Sequence, residues 1–260
     1  VVLGLGGFYV YLEAELKSLQ QSQMRLEAQN IQQNVLNTLN LITRYNLEKA
    51  VAFVDQQPVL EAYRKASTGN LDDPNDPTVQ QAREELRAWS QAITSGAQKH
   101  LGRSEYFLHF HLPNNRSFLR VWRKAQTLDG RDISDDLSGF RQTVVAVNAK
   151  RFPRVTGMEL GRGGMVVRGI VPIVDANGQH LGSLEVYSVF DEVIEVLRTE
   201  GREFAVYLNS EFLDIARRIQ ANPEKHPPVS DDFVFVSSSS SNLRSDVPIE
   251  LLEQGKTGLA

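Results

Sequence analysis

The chain has 260 residues, 28 basic and 32 acidic side chains, a formal charge of −4 and no cysteine. Zero cysteine excludes disulfides, thiolate zinc sites and cysteine nucleophiles. A mildly acidic chain has no general attraction to a phosphate backbone, so nucleic acid is excluded as a partner class. Hydrophobic residues at 41% and charged residues at 23% are those of an ordinary globular chain, and the length admits one large domain or two modest ones.

Residues 1–12 read VVLGLGGFYVYL, uncharged up to Glu13. That run is shorter than the roughly 20 residues needed to span a bilayer, and it lacks the frame of a signal peptide. We expect it to be the last part of a transmembrane helix, with Tyr9 and Tyr11 at the height of an interfacial aromatic belt. The alternative is the apolar start of a core helix. From Phe8 to Gln57 there is neither glycine nor proline. Leu12, Leu16, Leu19 and Leu26, then Ile31, Val35, Leu39 and Ile42, follow a three-four spacing. This predicts a long helix over 13–65, reaching on the order of 75 Å over fifty residues, which suits pairing with a second copy in a homodimer. Two ordinary helices with an unmarked joint would satisfy the same pattern.

The turn formers between Gly69 and Pro77 end that run, and a second helix follows at about 79–98. Two hairpins come next. Residues 106–112 and 117–123 flank Pro113-Asn-Asn-Arg116, and residues 165–174 and 179–190 flank Asp175-Ala-Asn-Gly178. Between them lie a loop with Asp129-Gly130 and a short helix near 138–148, and a helix at 192–199 closes the unit. Beyond Gly201, taken as a boundary, come a strand at 203–208, a helix at 211–220 and a strand at 233–236. The fold class expected is α+β: the long helix, a PAS-like antiparallel-sheet lobe over 66–200, and a smaller, incomplete α/β lobe over 201–260.

In the first hairpin, Leu108, Phe110, Leu112, Leu119 and Val121 form a core face by alternation. The opposite face carries Phe107, His109, His111, Phe118, Arg120 and Trp122. Aromatics interleaved with His and Arg suit neither a solvent face nor an aliphatic core, and they fit a pocket wall with a few convergent donors. Arg168 lies in a strand apolar on both faces and needs an anionic partner. If Val174 pairs with Gln179, Glu185 stands opposite Arg168 and Tyr187 lies next on that face. Periodicity leaves open whether Arg168 meets Glu185 or a ligand carboxylate.

Other motifs carry less. Gly255-Lys256-Thr257 lacks the upstream glycine of a phosphate loop, since Glu250 holds that place, and Gly161-Arg-Gly-Gly164 lacks the third glycine of a dinucleotide fingerprint because Val166 stands there. Asp135-Asp136 looks like a helix start. His109 and His111 have no evident third ligand, so no metal or other cofactor is expected. A periplasmic metal-dependent enzyme using the two histidines is the alternative from another class.

Tyr106-Phe-Leu-His-Phe-His-Leu-Pro113, Ser117-Phe-Leu-Arg-Val-Trp-Arg123, Asp135-Asp-Leu-Ser-Gly-Phe-Arg141 and Gly161-Arg-Gly-Gly-Met-Val-Val-Arg-Gly-Ile-Val-Pro-Ile173 resemble the double Cache sensor family. These are PAS-like, extracytoplasmic ligand-binding regions of bacterial receptors, and the likeness is greatest to methyl-accepting chemotaxis proteins. The resemblance implies a non-enzymatic sensing region on the periplasmic side of the inner membrane, between flanking transmembrane helices. Sensor regions of histidine kinases or diguanylate cyclases are the alternative. The Gly164–Ile173 pattern is also similar to citrate and C4-dicarboxylate sensor kinases, where the arginine holds a ligand carboxylate. That implies such a role for Arg168, with Arg120 as second basic anchor. The ligand expected is a small carboxylate, and the residues expected around it are His109, His111, Phe118, Arg120, Trp122, Arg168, Glu185 and Tyr187.

Overall fold

The structure, a computed structural model, describes residues 2–102, 106–123, 127–128, 131–132, 134–149, 152–198, 202–240, 250 and 252–253. The Asp129-Gly130 loop, the Gly201 boundary, Gly255-Lys256-Thr257 and the side chains of the apolar start at 1–11 lie outside the described residues. No described helix is long and apolar enough to cross a membrane.

Helix α1 runs from Val2 to Val54, about 80 Å at 1.5 Å per residue. The helix expected over 13–65 is divided, because α2 spans Gln57–Ala66 as a separate element. Pro58 is the cause. It has no N–H for the Val54 carbonyl four residues back, so the α1 ladder stops, Gln56 takes an extended conformation, and a new helix opens with proline in its first turn. Helix α3 covers Pro77–Leu101. Asp76 caps it by accepting from the amides of Thr78 and Val79, both at 2.9 Å, and Gly102 ends it with φ 64°.

The first hairpin is β1 (Leu108–His111) and β2 (Ser117–Arg120). Two short strands, β3 (Thr127–Leu128) and β4 (Arg131–Asp132), pair with each other. Helix α4 spans Gln142–Asn148. Strands β5 (Val155–Gly161), β6 (Gly164–Val174) and β7 (His180–Val189) follow, then α5 (Phe190–Leu197). Strand β5 escaped the sequence reading because Gly157 interrupts its alternation, and Gly161-Arg-Gly-Gly164 is the turn of the β5–β6 hairpin. The five strands form one antiparallel sheet in the order β2-β1-β7-β6-β5.

After the sheet, β8 (Ala205–Asn209) pairs with β9 (Phe233–Ser238). The helix expected over 211–220 is a 3₁₀ turn at Ser210–Phe212 followed by α6 at Arg217–Gln220. Leu208, Ala216, Ile219 and Val234 form a small core of their own that reaches Leu160 on β5.

One face of the sheet is covered by helices. Leu108, Phe110, Leu119, Val171, Ile173, Leu184 and Val186 pack against Ala50, Val59, Ala62, Tyr63, Val79 and Leu86 of α1, α2 and α3. At Gly169 a Cβ would stand 2.5 Å from the Leu47 backbone nitrogen, so only glycine lets α1 lie this close to β6. Asn46 adds a polar clasp, donating from Nδ2 to the Val167 carbonyl at 2.9 Å. The other face carries α4 through Leu137, Val144, Val147 and Ile170, and next to it a row of charged side chains.

Candidate functional site

That second face is built by alternation on four strands. His109 and His111 on β1, Arg120 on β2 and Glu185 and Tyr187 on β7 all project toward it, with Arg168 on β6. Above it, closed by the β5–β6 turn and α6, lies a cavity of about 910 Å³. Phe107, Trp122 and Tyr187 form an aromatic corner, with Phe107 stacked on Tyr187 at 4.8 Å and edge-on to Trp122 at 5.4 Å. Arg120, Arg123, Arg141 and Arg162 face the cavity from the sheet side, Arg217 and Arg218 from α6, and Asp135 is the one carboxylate among the described lining residues.

Asp135 is shared by two of these cations, at 2.8 Å from Arg120 Nη1 and 3.3 Å from Arg162 Nη1. Arg162 also stands over the Phe140 ring at 4.6 Å. Arg123 sits among like charges. Burial, then the neighbouring Arg120 and Arg218, bring its guanidinium down to about 10. Its Nε is buried without a hydrogen-bond partner among the described residues.

Beneath the cavity floor lies an ion network centred on Glu185, which is fully buried. Arg141 Nη2 donates to both carboxylate oxygens, at 2.9 and 3.2 Å, and Arg168 Nη1 lies 3.1 Å from Oε1. Arg168 also bonds Glu159 on β5 and, at 3.2 Å, the hydroxyl of Thr143. Burial alone would push the Glu185 carboxyl up. The guanidiniums of Arg141 and Arg168 and the two imidazoles outweigh it, and hold this carboxyl well below the usual carboxylate range. His109 and His111 place Nδ1 and Nε2 at 3.5 and 3.4 Å from Glu185 Oε2, while their other nitrogens meet Ser117 Oγ at 2.9 Å and Ser183 Oγ at 3.0 Å. Burial, and for His109 the charges of His111 and Arg120, lower both imidazoles below their ordinary value.

The residues expected around the ligand therefore divide three ways. His109, Arg120, Trp122 and Tyr187 line the cavity. His111, Arg168 and Glu185 lie under it with protein partners, so the Arg168–Glu185 ion pair exists. It forms diagonally: the turn pairs Val174 with His180 rather than Gln179, and a register shift at Ile173/Val174 adds one residue more, so Arg168 stands opposite Tyr187 and Glu185 opposite Ile170. Phe118 is on the wrong face. A bulge at Phe110/His111 pairs His111 with Ser117, and Phe118 turns into the helical core, edge-on to Tyr63 at 5.0 Å. Reasoning from the sequence missed Arg123, Asp135, Arg141, Glu159, Arg162 and Arg218. Asp135 and Arg141 stood in a quoted motif, but the pair Asp135-Asp136 was read as a helix start. Neither aspartate starts the helix, which begins at Gln142; Asp136 only caps the turn before it, accepting from the Ser138 amide at 2.9 Å.

A third metal-ligand type does join the histidines, since donor atoms of His109, His111 and Glu185 lie within 4.8 Å of one another. The set fits a cation poorly. Glu185 Oε2 already accepts from Arg141, Oε1 faces Arg168, and a dication would sit against both guanidiniums.

The family model described as "Double sensory domain of two-component sensor kinase" matches residues 80–209, half of the chain. The E. coli DcuS sensor domain is similar at 14% identity and a TM-score of 0.37, over 61% of this chain and 96% of that one. The sensor domain of the V. cholerae histidine kinase DctB is similar at 10% identity and a TM-score of 0.49, over 74% of this chain and 65% of that one. At such identities and scores no residue role transfers from either. No curated protein matches the chain. The matched segment runs from α3 through the whole five-stranded sheet into β8, and the chain belongs to the double Cache family of extracytoplasmic sensor domains, which are receptors of signals rather than enzymes.

Proposed function

We propose that this chain senses a small anionic molecule of the carboxylate type in the cavity above Arg120 and Trp122. The observation that carries the reading is the charge of the wall: six arginines line the cavity among the described residues, against one aspartate already shared by two of them. Such a wall favours an anion through charge-assisted hydrogen bonds, and the aromatic corner of Phe107, Trp122 and Tyr187 offers an apolar surface for its carbon skeleton. The buried Glu185 network acts as the rigid floor.

In this reading the domain stands outside the cytoplasm, on the periplasmic side of the inner membrane, and α1 leads to the bilayer. Ligand occupancy biases the lobe toward one arrangement relative to α1, and a rigid helix carries that shift to an output module. Residues 66–200 form the ligand-binding lobe and 201–260 part of a second one. The family description names a two-component sensor kinase, which favours a kinase output over the methyl-accepting chemotaxis protein expected from the sequence. Exposed Leu16, Leu19 and Leu26 on α1 support a homodimer.

A thermal-shift screen of the purified chain against carboxylates, amino acids and amines tests the ligand class. Carboxylates should raise the melting temperature, and Arg120→Ala should remove that rise. Stabilisation by amines alone would sink the anion reading.

A further inference from the structure

The cavity is larger than a short aliphatic acid needs. At about 910 Å³ it stands near the top of the range of roughly 300–1,000 Å³ that encloses drug-sized ligands. Phe107, Trp122 and Tyr187 are gathered in one corner of it. The Trp122 ring is tilted by 74°, 85° and 85° to the rings of Phe107, Tyr187 and His109, with centroids 5.4, 5.4 and 5.9 Å away. Three near-perpendicular neighbours fix the plane of the indole, so little ordering is left to be done when a ligand arrives. The same segment supplies the charge. Residues 120–123 form a turn closed by the Arg123 amide, which donates to the Arg120 carbonyl at 3.1 Å. Arg87 on α3 donates from Nη1 to the Arg123 carbonyl and pins that turn. Trp122 thus lies between Arg120 and Arg123 in one short turn, and all three line the cavity. An acid group bonded to either guanidinium brings whatever it is attached to within reach of the indole. On another part of the wall Phe140 is already covered by a planar group, the Arg162 guanidinium.

From this geometry we infer that the ligand is an aromatic acid: a planar ring seated in the corner of Phe107, Trp122 and Tyr187, its acid group attached directly or by a short linker and held by Arg120 and Arg123. The inference rests on the anion-sensing reading above and adds to it the nature of the carbon skeleton. Plain apolar burial and ring recognition predict opposite orders of affinity. A saturated ring has more apolar surface than a planar one of the same carbon count, so an apolar wall alone favours the saturated acid. Offset-stacked or edge-on contact with the corner adds an attraction that only an aromatic ligand gains.

The test uses the whole chain with pairs of acids matched in charge and carbon count: benzoate with cyclohexanecarboxylate, phenylacetate with cyclohexylacetate, and 2-naphthoate with decahydro-2-naphthoate, with acetate as the ringless reference. Calorimetry at constant ionic strength reads affinity. Tryptophan fluorescence reads the corner, because the chain has two tryptophans and the other, Trp89, lies on α3, edge-on to Phe53. In at least one pair the aromatic acid should bind about three- to tenfold more tightly than its saturated partner. The same acid should change the emission of Trp122 in a Trp89→Phe background. Trp122→Leu should bring that pair to within about twofold of each other, and Trp122→Phe, which keeps a ring, should retain most of the difference. Phe107→Leu removes a second ring from the same corner and should also narrow the gap. If the saturated acids bind as tightly as the aromatic ones in every pair, if acetate matches the best of them, if Trp122 emission does not move, or if both leucine variants keep the preference, the aromatic ligand is wrong and the anion-sensing reading stands. If no carboxylate binds, both fall together.

Discussion

Arg141, in the turn before α4, donates from Nη2 to both oxygens of Glu185 at the centre of β7, at 2.9 and 3.2 Å. The contact ties a loop to the middle of the sheet, and its route depends on Gly161, where a Cβ would stand 2.7 Å from Arg141 Nη1. Arg168 completes the charge balance of Glu185 from the next strand at 3.1 Å. Cavity wall and buried floor are therefore one electrostatic unit, because Arg141 belongs to both.

Glu185→Gln keeps the shape of the side chain and removes its charge. Arg141 and Arg168 are then left buried without their main counter-charge, for which a loss of about 3–5 kcal/mol is expected. Urea denaturation monitored by circular dichroism measures it. A loss under about 1 kcal/mol would mean that Glu159 alone suffices to balance the two guanidiniums.

Stability should fall on acidification in two stages. His109 and His111 have folded-state values below their unfolded one, so the unfolded chain binds protons first, starting as the pH drops through about 6.5. Glu185 is also depressed, so its contribution is complete above the unfolded value of about 4.3 and is lost as pH falls further toward its folded value. Denaturation midpoints between pH 8 and 4 should be flat above about pH 7 and decline below it. In His109→Gln/His111→Gln the decline between about pH 6.5 and 5 should disappear, and an unchanged profile would count against buried neutral imidazoles.

Gly169→Ala places a methyl group 2.5 Å from the Leu47 backbone nitrogen and 2.7 Å from its Cα. Neither atom belongs to a side chain that could swing aside, so α1 must lift from β6. The expected cost is about 1–3 kcal/mol, with looser protection of the Asn46–Val167 clasp. A melting temperature within error of the wild type would show that α1 is not held at this crossing.

Phe118→Leu and Arg120→Ala separate core from cavity, though the residues are neighbours. The first should cost about 1–2 kcal/mol and leave carboxylate binding untouched, because Phe118 faces Tyr63. The second should abolish binding at a cost of about 1–2 kcal/mol, since Arg120 is buried but Asp135 keeps Arg162 as a partner. Loss of binding in Phe118→Leu would return that residue to the ligand site.

Leu16, Leu19 and Leu26 are 58%, 56% and 58% exposed along α1. If they form a homodimer seam, the Leu19→Glu/Leu26→Glu double variant should sediment as a monomer while the wild type sediments as a dimer. A wild-type monomer at high concentration would remove the seam.

Local pattern was enough for much of the architecture. The glycine-free run from Phe8 to Gln57 indicated a helix, the turn formers between Gly69 and Pro77 marked the break before α3, and alternation in residues 106–112 separated Leu108 and Phe110 from His109 and His111. These features depend on neighbours within a few positions. The family resemblance was legible in the same way, from motifs that each lie on one strand or turn.

Tertiary structure decided the site. Alternation assigns faces only while register is kept, and two bulges broke it. One sent Phe118 into the helical core, and the other, together with a turn that pairs Val174 with His180, set Arg168 against Tyr187 while its long side chain still reached Glu185 diagonally. Of the charges that matter most, Arg141, Asp135 and Arg218 come from turns and from α6, which have no periodicity to mark a face, and Glu159 comes from β5, whose alternation Gly157 interrupts. The sequence by itself determined that one sheet face would be rich in arginine, histidine and aromatics. Which of those cations are neutralised inside the protein and which remain for a ligand depends on through-space distances of a few ångströms between remote segments, and only the folded chain sets those.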